Sequence, residues 1–361
     1  MNDANELISF IASMSGEGNL RVEENLGEGY VRLRVSEAER RQAKHDIQHV
    51  EDIVIEMLRN ARDAGADKVY LATTKEDGVR TLVFLDNGSG VPQDMQERIF
   101  DARVTSKLES MKMDRWGVHG RGMALFSIKQ NTDEARVVAS DVDLGSVFKV
   151  SVATDRLGER ADQSSWPQAV KDEDGHYVCA RGPHNIIRAA CEFALEELRA
   201  CDVYLGSPSE IAATLHAQAS SRLDASRLLF IDDEAELPVV DRLGLASDAE
   251  DFIRICSGLG LEMSERTVHR ILAGQIKPVR GVTARLLRER DSSSHAPAPV
   301  DLAKDRRGLR IAKDDLAQFS RAVERDFNDL AARYYLNLCG DPKIRVSRDR
   351  ITVTFDLAKE E

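Results

Sequence analysis

Three short motifs follow one another in a fixed order between Glu51 and Ile128, and they constrain this chain more than any other feature. Glu56-Met-Leu-Arg-Asn60-Ala-Arg-Asp63-Ala reads as a helix. Asp86-Asn-Gly88-Ser-Gly90 ends the apolar run Leu82-Val-Phe-Leu85, which reads as a strand. Gly117-Val-His-Gly120-Arg-Gly122 opens the segment Met123–Ile128, which reads as a second helix. Glu56, Asn60 and Asp63 stand at i, i+4 and i+7, so one helix face carries all three. Ile53, Met57, Leu58 and Ala61 on the other side suit packing on a sheet.

Each motif permits a particular chemistry. The amide oxygen of Asn60 suits Mg²⁺, a hard cation that takes oxygen ligands and usually keeps waters beside phosphate oxygens. A carboxylate one turn earlier, at Glu56, is placed to take a proton from water attacking a terminal phosphate. Alone, these residues also describe an ordinary solvated helix face. Asp86 at a strand end can accept a hydrogen bond from an exocyclic amine such as that of adenine, and Gly88 and Gly90 let the backbone approach a flat base. Asp-Asn-Gly is equally common turn chemistry. Glycines ahead of a helix expose N–H groups that favour an anion. The repeat is not a P-loop, because no Gly-Lys-Ser/Thr follows, and no clear strand runs into it as a dinucleotide fingerprint requires.

Taken in order, with a hairpin signal at Asp77-Gly78 between the first two, the motifs resemble the N, G1 and G2 boxes of the GHKL superfamily. That superfamily includes gyrase B subunits, the large heat-shock chaperones, sensor histidine kinases and MutL-type mismatch-repair ATPases. The resemblance covers about residues 40 to 155. It implies an α+β chain whose ATP-binding part is a Bergerat-type sandwich, with helices on one face of a mixed sheet. It implies that Glu56 is the general base, that Asn60 ligates Mg²⁺, that Asp63 supports the site, and that Asp86 binds the adenine amine beside Gly88 and Gly90. Gly117, Gly120 and Gly122 would form the phosphate-binding lid hinge. Lys107 and Arg115 would contact phosphates or simply face water, and Ser146 aligns with a Gly-Thr near the base.

Asn60-Ala-Arg-Asp63-Ala-Gly65-Ala and Thr105-Ser106-Lys107 resemble the corresponding runs of MutL-type proteins, whereas Pro92–Phe100 resembles a histidine-kinase segment. The mixture also resembles topoisomerase VI B subunits. Glu56 favours a hydrolysing branch, because sensor kinases generally lack a catalytic glutamate there. The expectation is therefore a Mg²⁺-dependent ATP hydrolase acting as a conformational switch. The alternatives are a histidine-kinase-like protein kinase, and a non-hydrolysing nucleotide-binding regulator with a DNA-binding tail.

A chain of 361 residues predicts two or three domains. We expect an ATP-binding domain over 1–155, a linker over 155–175, a small transducer-like α/β segment over 176–246, and a helical region over 247–361. That last region holds a helix-turn-helix resemblance at Phe252–Leu272 and a terminal β-hairpin. A helical bundle for protein contacts is its plainer reading. The net charge of −12 argues against coating nucleic acid all over, but residues 252–290 are locally basic and allow DNA as a partner. ATP, a second copy of the chain and an unidentified protein are the other expected partners. Five cysteines without a Cys-x-x-Cys pair, no secretory signal and no membrane-length apolar run predict a cytoplasmic setting. The pattern further predicts an amphipathic helix at Glu6–Met14, one long helix from Ser36 through Asn60, a surface or packing role for His45, and a long helix from Asp315 to Leu338.

Overall fold

In the computed structural model, which describes residues 22–106, 113–114, 116–118, 122–223, 233–287, 313–331, 336–340, 342–346 and 351–359, the central strands are apolar on both faces. The chain divides into two compact units between residues 291 and 292. The first begins with strands β1 (Val22–Gly27) and β2 (Tyr30–Leu33), then helices α1 (Glu37–Asp46) and α2 (Val50–Asp63). Strands β3 (Lys68–Glu76) and β4 (Val79–Asp86) follow, then the short β5 (Val104–Thr105), β6 (Met113–Asp114) and β7 (Gly117–Val118). Helix α3 (Ala124–Asn131), strands β8 (Glu134–Ser140) and β9 (Ser146–Ala153), and the hairpin β10 (Gln168–Lys171) and β11 (Tyr177–Arg181) come next. The unit closes with α4 (Ile186–Glu196), β12 (Asp202–Gly206), α5 (Pro208–Arg222), α6 (Ala249–Gly258) and α7 (Glu265–Leu272).

Five strands form one mixed sheet in the order β12-β3-β4-β9-β8. β12 runs parallel to β3, and the remaining neighbours are antiparallel. The β3–β4 hairpin turns at Asp77 and Gly78, both at positive φ, as an Asp-Gly type I′ turn requires. Alternation along the strands sends Val69, Leu71, Leu82 and Phe84 to one face, where α2 and α4 cover them with Ile53, Leu58 and Phe193. This is the expected α+β sandwich, with helices over a mixed sheet.

Its second face is also covered. Tyr70, Ala72, Val83 and Leu85 point there, against Ile211 and Leu215 of α5, Phe252 of α6 and Ile271 of α7. The 176–246 segment thus adds an edge strand, and a helix on each face, to the same sheet, within the same compact unit. Strands buried on both faces read as continuous apolar runs, which accounts for Leu82–Leu85.

Two expectations change in detail. The helix predicted from Ser36 through Asn60 is two helices, because the Asp52 carboxylate accepts the N–H groups of Gln48 and His49 at 2.8 Å each and starts α2 afresh. His45 is exposed on α1. Residues 92–106 bury Met95, Ile99 and Phe100 in the core. The predicted linker at 155–175 is bound to the sheet: Glu159 pairs with Arg80 at 2.8 Å and Lys75 at 2.7 Å, and Arg160 N–H and Gln163 Nε2 both donate to Glu51.

Within this tethered loop, Asp162 builds a turn that α4 reads. Its Oδ1 accepts the N–H groups of Ser164 and Ser165 at 2.9 and 3.0 Å. The buried Asn185 caps α4 through Oδ1 and donates through Nδ2 to the Asp162 and Ser165 carbonyls. Hydrogen bonds from the Ser165 hydroxyl and the two backbone N–H groups pull the Asp162 carboxyl down to about 2. The folded value lies below the unfolded one, so this turn's stabilisation is complete above the ordinary aspartate range and fades as pH falls through about 2. An NMR titration should place Asp162 well below the ordinary range; titration near 4 would contradict the turn.

The second unit holds α8 (Lys313–Ala331), with β13 (Leu336–Leu338) pairing β16 (Leu357–Lys359) and β14 (Lys343–Val346) pairing β15 (Ile351–Thr354). Phe327 stacks on Phe355 at 4.0 Å between ring centroids. Leu336–Leu338, predicted as the end of this helix, is instead a strand paired with β16. The terminal hairpin is present. The predicted Glu6–Met14 helix lies outside the described residues.

Candidate functional site

Helix α2, the end of β4 and the start of β9 wall a cavity of about 500 Å³. Glu56, Asn60 and Asp63 line it from α2, as their spacing predicts. Asp86 enters at the β4 terminus and Ser146 stands opposite it in the β4–β9 ladder. Gly90 and Gly122 complete the wall. Gly88 lies behind it, where its N–H donates to Asp86 Oδ1 at 2.8 Å and fixes that carboxylate. Gly117 begins β7, while Lys107, Arg115 and Gly120 lie outside the described residues.

Two glycines hold the base end of the cavity open for backbone. A Cβ on Gly90, at φ +72, would stand 1.8 Å from the Asp141 carbonyl oxygen. A Cβ on Gly145, at φ +78, would stand 2.1 Å from the Asp86 carbonyl oxygen. The Ser140 hydroxyl joins the two sides, accepting the Val91 N–H and donating to the Gly145 carbonyl at 2.8 Å each. Asp86 and Ser146 are both buried, so this end can present a fixed acceptor to a flat polar ring.

A charge network at the other end escaped the sequence reading. Arg59 Nη1 donates to Glu56 Oε1 at 2.7 Å. The same guanidinium grips Asp114, on β6, through Nε at 2.9 Å and Nη2 at 3.0 Å. Arg62 donates to Asp114, Asp63 and Glu197 at 3.0, 3.0 and 3.2 Å. Burial works against the Arg62 charge, but the Asp114 and Asp63 carboxylates outweigh it and hold the guanidinium above its ordinary range. The side chains of Arg59, Arg62 and Asp114 are 3–6% exposed, so water screens these pairs little. One signal was available: Arg59 and Arg62 fall between the polar and apolar faces of α2, where buried guanidiniums need carboxylates.

Arg103 is a second unpredicted cation on the wall. It is buried, holds φ +64, and pairs with Glu39 of α1. Its N–H donates to the Gly122 carbonyl at 2.8 Å, tying the residue before β5 to the last glycine of the third motif.

An α/β sandwich with this motif order around one cavity is an ATP-binding domain of the GHKL class. Residues 47–140 match the family of histidine kinase-, DNA gyrase B- and HSP90-like ATPases, and the chain carries a GHKL-superfamily domain. Among curated proteins it resembles the DNA mismatch repair protein MutL of Staphylococcus aureus strains Newman and JH1. Each is 28% identical over 136 residues, covering 35% of this chain and 20% of the relative. The chain thus matches about a fifth of the length of these relatives. Among the described residues no helix is long and apolar enough to cross a membrane.

Proposed function

We propose that the protein is a Mg²⁺-dependent ATPase in which lid closure over ATP switches conformation. The observation that carries this reading is the convergence of Glu56, Asn60 and Asp63 with Asp86 in one cavity. Asp86 accepts the adenine amine, and Gly90 and Ser146 flank the base. Glu56 takes the proton of the attacking water, which requires only that its carboxylate reach that water. Gly117, Gly120 and Gly122 hinge the lid, and Lys107 contacts phosphate.

The donor set fits Mg²⁺. Asn60 supplies an amide oxygen, and four carboxylates (Glu56, Asp63, Asp114 and Glu197) surround two guanidiniums, leaving an acidic excess. Among the described residues no cluster of three or more His, Cys, Asp or Glu could cage a metal. That suits an ion held by Asn60 together with phosphate and water oxygens. When bound, Mg²⁺ would draw charge from the terminal phosphates.

The expected partners are a second copy of the chain and an unidentified protein, with DNA at 252–290, and the setting is the cytoplasm. The deciding experiment incubates the protein with Mg²⁺ and γ-labelled ATP, following free phosphate and label on protein. Free phosphate is the expected product. Label transferred to protein would overturn hydrolysis in favour of a kinase.

Gly90→Ala tests the base end. The added methyl group forces the Asp141 backbone away, so ATP affinity should fall at least about tenfold and stability by about 1–3 kcal/mol. Calorimetric titration and thermal melting would measure both. Wild-type affinity would remove Gly90 from the base pocket.

A further inference from the structure

Helices α6 and α7 meet through Phe252, Ile255, Cys256, Val268 and Ile271, all buried. Ser264 caps α7 by accepting the Thr267 N–H. At the other end the Gly274 N–H donates to the Ile271 carbonyl at 2.8 Å and the Gln275 N–H to the Arg270 carbonyl at 2.9 Å, a Schellman closure made possible by φ +69 at Gly274. With Val268 and Ile271 turned inward, the helical period sends Arg266, His269, Arg270 and Ala273 to the opposite face, and all four are exposed.

Charge gathers on this element. Residues 262–287 carry the cations Arg266, Arg270, Lys277, Arg280 and Arg285 against only Glu262 and Glu265, in a chain of net charge −12. Among the described residues, Arg266, Arg270, Lys277 and Arg280 have no carboxylate partner. The nearest acidic contact on this face joins Glu265 to His269 at 3.6 Å. Arg285 lies over the Trp166 ring at 3.9 Å.

We propose that α6 and α7 form a duplex-DNA-binding face, with α7 entering the major groove. A helix with its side chains is about 10–12 Å across, close to the width of that groove. Arg266 and Arg270, one turn apart, present forks suited to base edges or phosphates, and Lys277 and Arg280 meet the backbone. An acidic protein would satisfy the charge. Duplex DNA also uses the paired-helix geometry, in which the second helix projects its solvent face. This proposal does not rest on the ATPase reading.

Fluorescence anisotropy of a labelled mixed-sequence duplex, with the full chain and no nucleotide, tests it. Binding should weaken steeply between about 50 and 200 mM salt. Arg266→Ala with Arg270→Ala should lower affinity at least about tenfold and reduce the salt slope by about two. The double variant should keep its circular dichroism and its ATP turnover. Arg41→Ala, an exposed change on α1, should bind as wild type. The proposal is overturned by absent duplex binding, by unchanged affinity in the double variant, or by equal binding of labelled polyglutamate, which would assign the face to an acidic protein.

Discussion

Glu56→Gln is expected to bind ATP with near wild-type affinity and to lose at least about 10²-fold in turnover, the usual contribution of a positioned general base. The substitution is chosen for its shape. Glutamine retains an oxygen that can accept the Arg59 Nη1 hydrogen bond now made to Glu56 Oε1 at 2.7 Å. It lacks the charged oxygen needed to take a proton from water. The base end, built from Asp86, Gly90 and Ser146, stands on other elements and is untouched. A filter-binding assay and a phosphate-release assay, run on the same preparation, separate the two effects. Turnover at the wild-type rate would dismiss Glu56 as the base. Loss of ATP binding with the fold intact would instead give this carboxylate a binding role.

Asp114→Ala should be the most destabilising single change in the site. Asp114 is a local partner of two buried guanidiniums, gripped bidentately by Arg59 and singly by Arg62. Removing one partner of a buried pair leaves charge uncompensated, at about 3–5 kcal/mol. Arg59 keeps Glu56, and Arg62 keeps Asp63 and Glu197, so the low end, about 3 kcal/mol, is expected. That is a large share of the stability of an ordinary domain. Urea unfolding would measure it, with Arg136→Ala as an exposed-pair control costing about 1 kcal/mol or less. The same change frees β6 from α2, so proteolysis near residue 114 should accelerate. A loss no larger than the control's would mean that Asp114 does not anchor this strand.

Much of the site was legible because its chemistry is local. Glu56, Asn60 and Asp63 share a face through helical period alone. Asp86 reaches the cavity because it ends a strand whose hydrogen bonds run up to it, and Asp77-Gly78 specifies the turn preceding that strand. The charge network was not legible in the same way. Arg59 and Arg62 stood in plain view, but their partner Asp114 lies 55 and 52 residues on. Nothing in a polar stretch indicates which of its carboxylates will be buried. Likewise, Ser146 aligned with a Gly-Thr near the base, but nothing in the sequence indicated what Gly145 would touch. Its contact with the Asp86 carbonyl exists because β9 pairs with β4.

By itself the sequence determined the order of the motifs, the residue types that face one another along a single helix or turn, and so the class of ligand the site can take. These follow from the periods of helix and strand, which act over a few residues. Tertiary structure alone decided that β12 lies parallel to β3, that α5, α6 and α7 cover the second face of the sheet, and that Asp114 docks beneath α2. Such pairings are selected by burial and by the cost of leaving a buried charge or strand edge without a partner. Those costs depend on which distant segments come together, and therefore on the whole fold.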